Sequence, residues 1–258
     1  TTDRLLTRDA RNVYYEDLPR NEVSVTVVRP DGSRIVTIRN RYGDVVRRSR
    51  IMPDGREIVL IYVPEQYRDE RHGWIEPEDL PPLPQISEDE YVLTAAPDYG
   101  PDRYYEYLDR PPVEPIHRIY TLDQVRHSPR LLAVLPRVDL EIHFATGSSD
   151  IDRSQYDVLQ GIAEAMNRIL QSNPAETFLV EGYTDAVGDP QQNLLLSDDR
   201  ATSVAQVLIQ NFNIPPENLV TQGYGETNLK VDTQEASAQN RRVAIQRITP
   251  LVAPVAQE

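Results

Sequence analysis

Proline is what most limits this chain. Nine of its 21 prolines (Pro77, Pro81, Pro82, Pro84, Pro97, Pro101, Pro111, Pro112 and Pro115) fall in one short stretch. Each removes a backbone donor and fixes φ, so no long helix or central strand can run through it. Tyr91, Tyr99, Tyr104, Tyr105 and Tyr107 are interleaved with them, more aromatic character than a free linker carries. The stretch is therefore expected to wrap over a surface with its tyrosines packed down. At its end Thr121 is placed to cap a short helix over 122–126, and Pro129 to open another over 130–135.

Before the prolines the texture is β. Val23, Val25 and Val27 alternate with Ser24 and Thr26, and Pro30-Asp31-Gly32, Tyr42-Gly43-Asp44 and Pro53-Asp54-Gly55 mark turns between short apolar runs ending at Val63. Turn signals spaced in this way predict a small β-meander over 22–63, one expected to be too small to stand alone, because isolated hairpins are marginal. Residues 1–21 are polar without periodicity and are expected to be a flexible lead-in.

After the prolines, alternation over Asp139–Phe144 predicts a strand. Asp152, with Gln155 three residues on, reads as a helix start. Leu159, Ile162, Ala163, Met166, Ile169 and Leu170 follow at helical spacing. A strand over 177–182, a helix over 193–211, strands over 219–222 and 243–248 and a short helix near Gln234–Asn240 complete a βαβαββ order. That order implies an α/β (α+β) unit with helices on one face of a sheet. The chain is thus divided into a lead-in (1–21), a meander (22–63), a Pro- and Tyr-rich connecting segment with short helices (64–136), a two-layer α/β unit (137–250) and a tail (251–258).

Composition removes several function classes. There is no cysteine, which excludes disulfides and thiolate metal sites. The net charge of -14 opposes nucleic-acid binding by bulk attraction. No apolar run approaches the roughly 18 residues a membrane helix needs. Neither a His-x-x-x-His spacing nor a Gly-x-Ser-x-Gly elbow occurs, so no metal, cofactor or catalytic serine is expected. His143 reads as a hydrogen-bonded sheet residue. Against the acidic background stand eight arginines between Arg29 and Arg56. They are either the solvated face of a β-ribbon or a docking surface for anionic lipid, lipopolysaccharide or an acidic partner.

Four segments carry a resemblance: Glu181-Gly182-Tyr183-Thr184-Asp185-Ala186-Val187-Gly188; Asn193 with Leu196-Ser197-Asp198-Asp199-Arg200-Ala201; Gly223-Tyr224-Gly225; and Asn240-Arg241-Arg242-Val243. In order and spacing, residues 137–250 resemble the OmpA C-terminal-like family. The resemblance implies a periplasmic domain, outer-membrane associated through an anchor lying outside this sequence, that binds the diaminopimelate of the peptidoglycan stem without catalysis. It assigns the ligand pair to Asp185 and Arg200, with Thr184, Asn193, Thr146, Gly147, Arg241 and Arg242 around them. The chemistry agrees. A free amino-acid head carries an ammonium and a carboxylate on one carbon, which one anion and one planar guanidinium can grip together. For an arbitrary aspartate and arginine an exposed ion pair, worth ~0–1 kcal/mol, is the commoner arrangement. Several ordered motifs around this pair reverse that choice. The chain departs from the family at Ala145 and Gly147, where polar residues are usual, which puts one or two ligand contacts in doubt. The alternatives are a wall-remodelling enzyme with a targeting module, for which 1–137 shows no catalytic constellation, and a scaffold fixing a secretion or motor complex to the wall.

Overall fold

A computed structural model describes residues 2–68, 79–96, 98–140, 142, 144, 145 and 147–253. His143 and Thr146 lie outside the described residues. The chain opens with helix α1 (Thr2–Thr7), followed by strands β1 (Asn12–Leu18), β2 (Glu22–Val28), β3 (Arg34–Arg39), β4 (Val45–Ile51) and β5 (Glu57–Tyr62). These strands form one sheet in sequence order, antiparallel throughout. Its last three hairpins turn at Gly32, Gly43 and Gly55, with φ of 85°, 87° and 86°, a left-handed backbone that glycine adopts without cost. A short polar side chain pins each turn: Asp31 Oδ1 accepts from Ser33 N, Asn40 Oδ1 from Tyr42 N and Asp54 Oδ1 from Arg56 N.

The expected lead-in is a correction. Residues 12–18 pair with β2 over seven positions. Their side chains are mostly exposed on both faces, so this edge strand carries none of the alternation by which strands are recognised. The meander does not stand by itself either. Val45, Leu60 and Ile61 share a core with Tyr120, Leu122, Val125, Leu131, Leu179, Val220 and Ile248.

The connecting segment is built into that core and into the second sheet. After the short α2 (Glu65–Arg68), β6 (Val92–Thr94) is followed by α3 (Pro101–Leu108), α4 (Leu122–His127) and α5 (Pro129–Ala133). Tyr104, Tyr107 and Leu108 of α3 are buried. Thr121 caps α4 through a reciprocal pair with Gln124, and Ser128 caps α5 behind Pro129.

The remaining elements are β7 (Arg137–Leu140), α6 (Tyr156–Ser172), β8 (Phe178–Gly182), α7 (Pro190–Phe212), β9 (Leu219–Gly223), β10 (Val243–Arg247) and α8 (Thr249–Val252). The expected βαβαββ order is present, and the sheet runs β6-β7-β10-β8-β9. β10 is antiparallel to β7 and β8; β6 is parallel to β7, and β9 to β8. Helices α3, α6 and α7 cover one face through a core that includes Leu159, Ile162, Met166, Phe178 and Val204. On the other face α4, α5, α8 and the meander share the second core. β6 ties the connecting segment to β7, so packing does not divide the chain near residue 137. Nor is the C-terminus a free tail up to residue 253, for Leu251 and Val252 are buried. Asp152 caps through Ser154 N rather than Gln155. No helix forms over Gln234–Asn240. Instead Asn240 closes the loop by accepting from Val231 N and donating to Val231 O, both at 2.8 Å, a local side-chain solution that replaces helical bonding.

Candidate functional site

The loops leaving β8 and β9 meet the first turns of α7, and glycine makes the approach possible. A Cβ at Gly182 would collide with the Ser197 carbonyl oxygen, and one at Gly223 with Asp198 N. Ser197 is fully buried and its Oγ accepts from Gly225 N at 2.8 Å. The two glycines therefore let α7 lie directly on the ends of β8 and β9, which carries Arg200 toward the loop holding Asp185.

Asp185 and Arg200 are 7% and 3% exposed, and they do not bond each other. Asp185 Oδ2 accepts from Arg241 Nη1 at 2.6 Å and from Ser237 N at 3.3 Å. Arg200 Nε donates to Ser148 O at 3.1 Å, and its guanidinium lies 4.7 Å from the centre of the Phe144 ring. Its terminal nitrogens donate to no described residue. Burial, aided by the charge of Arg241 and opposed by that of Asp185, holds the Arg200 guanidinium below its ordinary pKa. A cation in this condition gains from any anion it can reach.

The other residues sort by geometry. Asn193 orders the loop, donating to Val187 O at 3.2 Å and Glu226 Oε2 at 2.7 Å. Thr184 N donates to Gly225 O at 2.9 Å, while its buried Oγ1 has no hydrogen-bond partner among the described residues. Gly147 has φ of 68°. The loop around it is held against α7 by the Ser148 carbonyl on Arg200.

Residues 143–242 match the OmpA family. This segment is an OmpA-family domain. The chain is 32% identical over 114 residues to outer membrane porin F of Pseudomonas aeruginosa, an overlap covering 43% of its length and 31% of that protein's. It is 35% identical over 112 residues to the probable lipoprotein YiaD of Escherichia coli, covering 43% and 48%. Over 106 residues it is 30% identical to the peptidoglycan-binding protein ArfA of Mycobacterium bovis, covering 40% and 31%. The chain therefore spans between about a third and a half of the length of these relatives.

Within the OmpA-family domain Arg241 and Arg242 part company. Arg241 reaches Asp185, whereas Arg242 turns to the far face of the sheet. There its guanidinium stacks 3.9 Å over Tyr183, donates to Asn228 O and lies 3.7 Å from Asp139. With Arg137, Glu181 and Lys230 it lines a cleft of about 650 Å³. Burial raises the Glu181 carboxyl above its ordinary pKa against the pull of Arg137, and Tyr183 donates to it at 2.6 Å. Arg242, expected at the ligand, belongs to this network instead.

The arginine-rich meander is also corrected. Arg29 and Arg50 both grip Glu217, at 2.6 and 2.9 Å, with the carboxylate fully buried. Arg48 is fully buried, and Arg47 pairs with Glu57. The cluster thus turns much of its charge inward, and Arg34, Arg41 and Arg56 are its exposed members. Among the described residues no group of His, Asp or Glu is arranged to hold a metal, and no helix is long and apolar enough to cross a membrane.

Proposed function

We propose that the OmpA-family domain holds peptidoglycan non-covalently by the diaminopimelate of its peptide stem, and so ties an outer-membrane or envelope assembly to the wall from the periplasm. One observation carries the reading: an aspartate and an arginine brought together from a loop and a helix are each bonded elsewhere, and Arg200 keeps its terminal nitrogens uncommitted beside Asp185. The ligand carboxylate would take those nitrogens as a bidentate pair. The ligand ammonium would take Asp185 in place of Arg241, whose side chain is 39% exposed and free to swing out. Thr184 supplies a buried hydroxyl in the same loop. Binding, without bond cleavage, is all that this arrangement performs.

The test is calorimetric titration of the full chain with a diaminopimelate stem peptide, beside a stem with lysine in that place, which lacks the second carboxylate. Asp185→Ala and Arg200→Ala should each weaken binding at least about 30-fold with little change in unfolding midpoint, and the lysine peptide should bind as poorly. A folded parent that ignores the diaminopimelate peptide, or that hydrolyses purified wall in a zymogram, would overturn the proposal.

A further inference from the structure

The meander presents two unlike edges. At β5, Leu60 and Ile61 are buried, Thr177 Oγ1 donates to Leu60 O, and α8 lies alongside. At β1 the strand pairs, among the described residues, with β2 alone, residue for residue and without a bulge over Asn12–Leu18. Tyr14 and Tyr15 are 56% and 73% exposed. Asn12–Leu18 contains no proline, glycine or lysine, the residues with which natural edges are commonly blunted. Such an edge turns alternate backbone N–H and C=O groups to solvent, a template for one more strand. Its charges are segregated. Arg11 stands just before the strand and Glu16 and Asp17 near its end, and none of the three makes an ion pair or side-chain hydrogen bond among the described residues.

We propose that β1 is the interface of a symmetric dimer, in which it pairs antiparallel with β1 of a second copy about Tyr14. In that register Arg11 stands opposite Asp17 at both ends, Asn12 opposite Glu16, Val13 opposite Tyr15, and Tyr14 opposite itself. Parallel pairing would set Arg11 against Arg11 and each acid against its own copy, and directly opposed like charges are destabilising. The order of charges therefore selects the antiparallel arrangement, which a two-fold interface between identical chains uses. The two five-stranded meanders would join into one continuous sheet, its exposed tyrosines forming cross-strand pairs. Each assembly would carry two OmpA-family domains, and whatever they hold would be held with the avidity of a linked pair. The proposal stands on the edge alone and is independent of the ligand assigned to Asp185 and Arg200.

The full chain is examined by sedimentation equilibrium at micromolar concentration, where a dimer is expected. Arg11→Asp should raise the dimer dissociation constant about tenfold, and adding Asp17→Arg should restore it, because the opposed pair re-forms with signs exchanged. The chain has no cysteine, so single cysteines report register directly. Tyr14→Cys should cross-link between copies rapidly under mild oxidation, because only this position faces itself, and Leu18→Cys slowly. A parent monomeric at tens of micromolar, which would leave the edge to a strand of another protein, overturns the proposal. So does cross-linking at Leu18 as fast as at Tyr14, or an Arg11→Asp chain that dimerises as the parent does.

Discussion

In the meander two arginines converge on one carboxylate: Arg29 and Arg50 enclose Glu217, and both its oxygens are taken. At the loops of the OmpA-family domain, Arg200 and Asp185 lie in one site but look past each other, the first to a backbone carbonyl and the second to Arg241. Both arrangements are nearly closed to water and use the same chemistry. The difference lies in saturation. A buried carboxylate with both oxygens met by cations has little to offer a ligand, and its removal strands two charges. A guanidinium with idle nitrogens is poorly stabilised until something anionic arrives.

The contrast is sharpest at Glu217. Glu217→Ala leaves Arg29 and Arg50 facing each other without an anion, and should cost about 3–5 kcal/mol of stability in urea unfolding of the full chain. A loss below about 1 kcal/mol, the worth of a surface pair, would erase the distinction. Arg200→Lys tests the other half. Lysine keeps the charge but not the planar fork, so stem-peptide affinity should fall about tenfold while the unfolding midpoint stays put. Asn193→Ala removes the amide that ties the loop after β8 to Val187 and Glu226 and should cost about 1 kcal/mol, visible as faster hydrogen exchange at 185–189.

The weakest member of the series is His127, half exposed beside Asp123 at 3.3 Å. Its hydrogen bond to Asp123 holds its pKa above the ordinary histidine value, against the effect of burial. The protonated ring is therefore the stabilising form. The contribution is full below the unfolded value, near 6.5, and disappears as pH rises through the folded one. His127→Ala should accordingly lower the melting temperature at pH 5.5 and leave it nearly unchanged at pH 9.

What could be read in advance follows a physical line. α6 was legible because one face is buried along its whole length and imprints a helical period. The three glycine turns were legible because their backbone admits few residues. The motif around Asp185 and Arg200 could be read as a set, and the collisions that would follow at Gly182 and Gly223 explain why its residues travel together. β1 was invisible because an exposed edge imposes no pattern, and β6 because three residues are too few to show one. The arginine cluster was plain as charge but not as destination. Its anion, Glu217, is 188 residues from Arg29 and sits in an ordinary Pro-Pro-Glu-Asn turn. Neighbouring arginines 241 and 242 look alike in sequence, yet the backbone sends one to each face.

The position of β10 has a consequence for timing. Val243–Arg247, the last of the described strands in sequence, occupies the middle of the second sheet and separates β7 from β8. Until it is delivered, those two strands have no common partner, and the loop that carries Arg241 to Asp185 has no far anchor. Contacts of this kind are slow to form and cannot begin on a chain still in transit. The strands of the meander pair only with their neighbours in sequence, although the core beneath them is completed by Leu179, Val220 and Ile248. Strand pairing in the first sheet can therefore precede that in the second, and a chain cut short before residue 243 would lack the strand that joins β7 to β8 and anchors the loop carrying Arg241 toward Asp185.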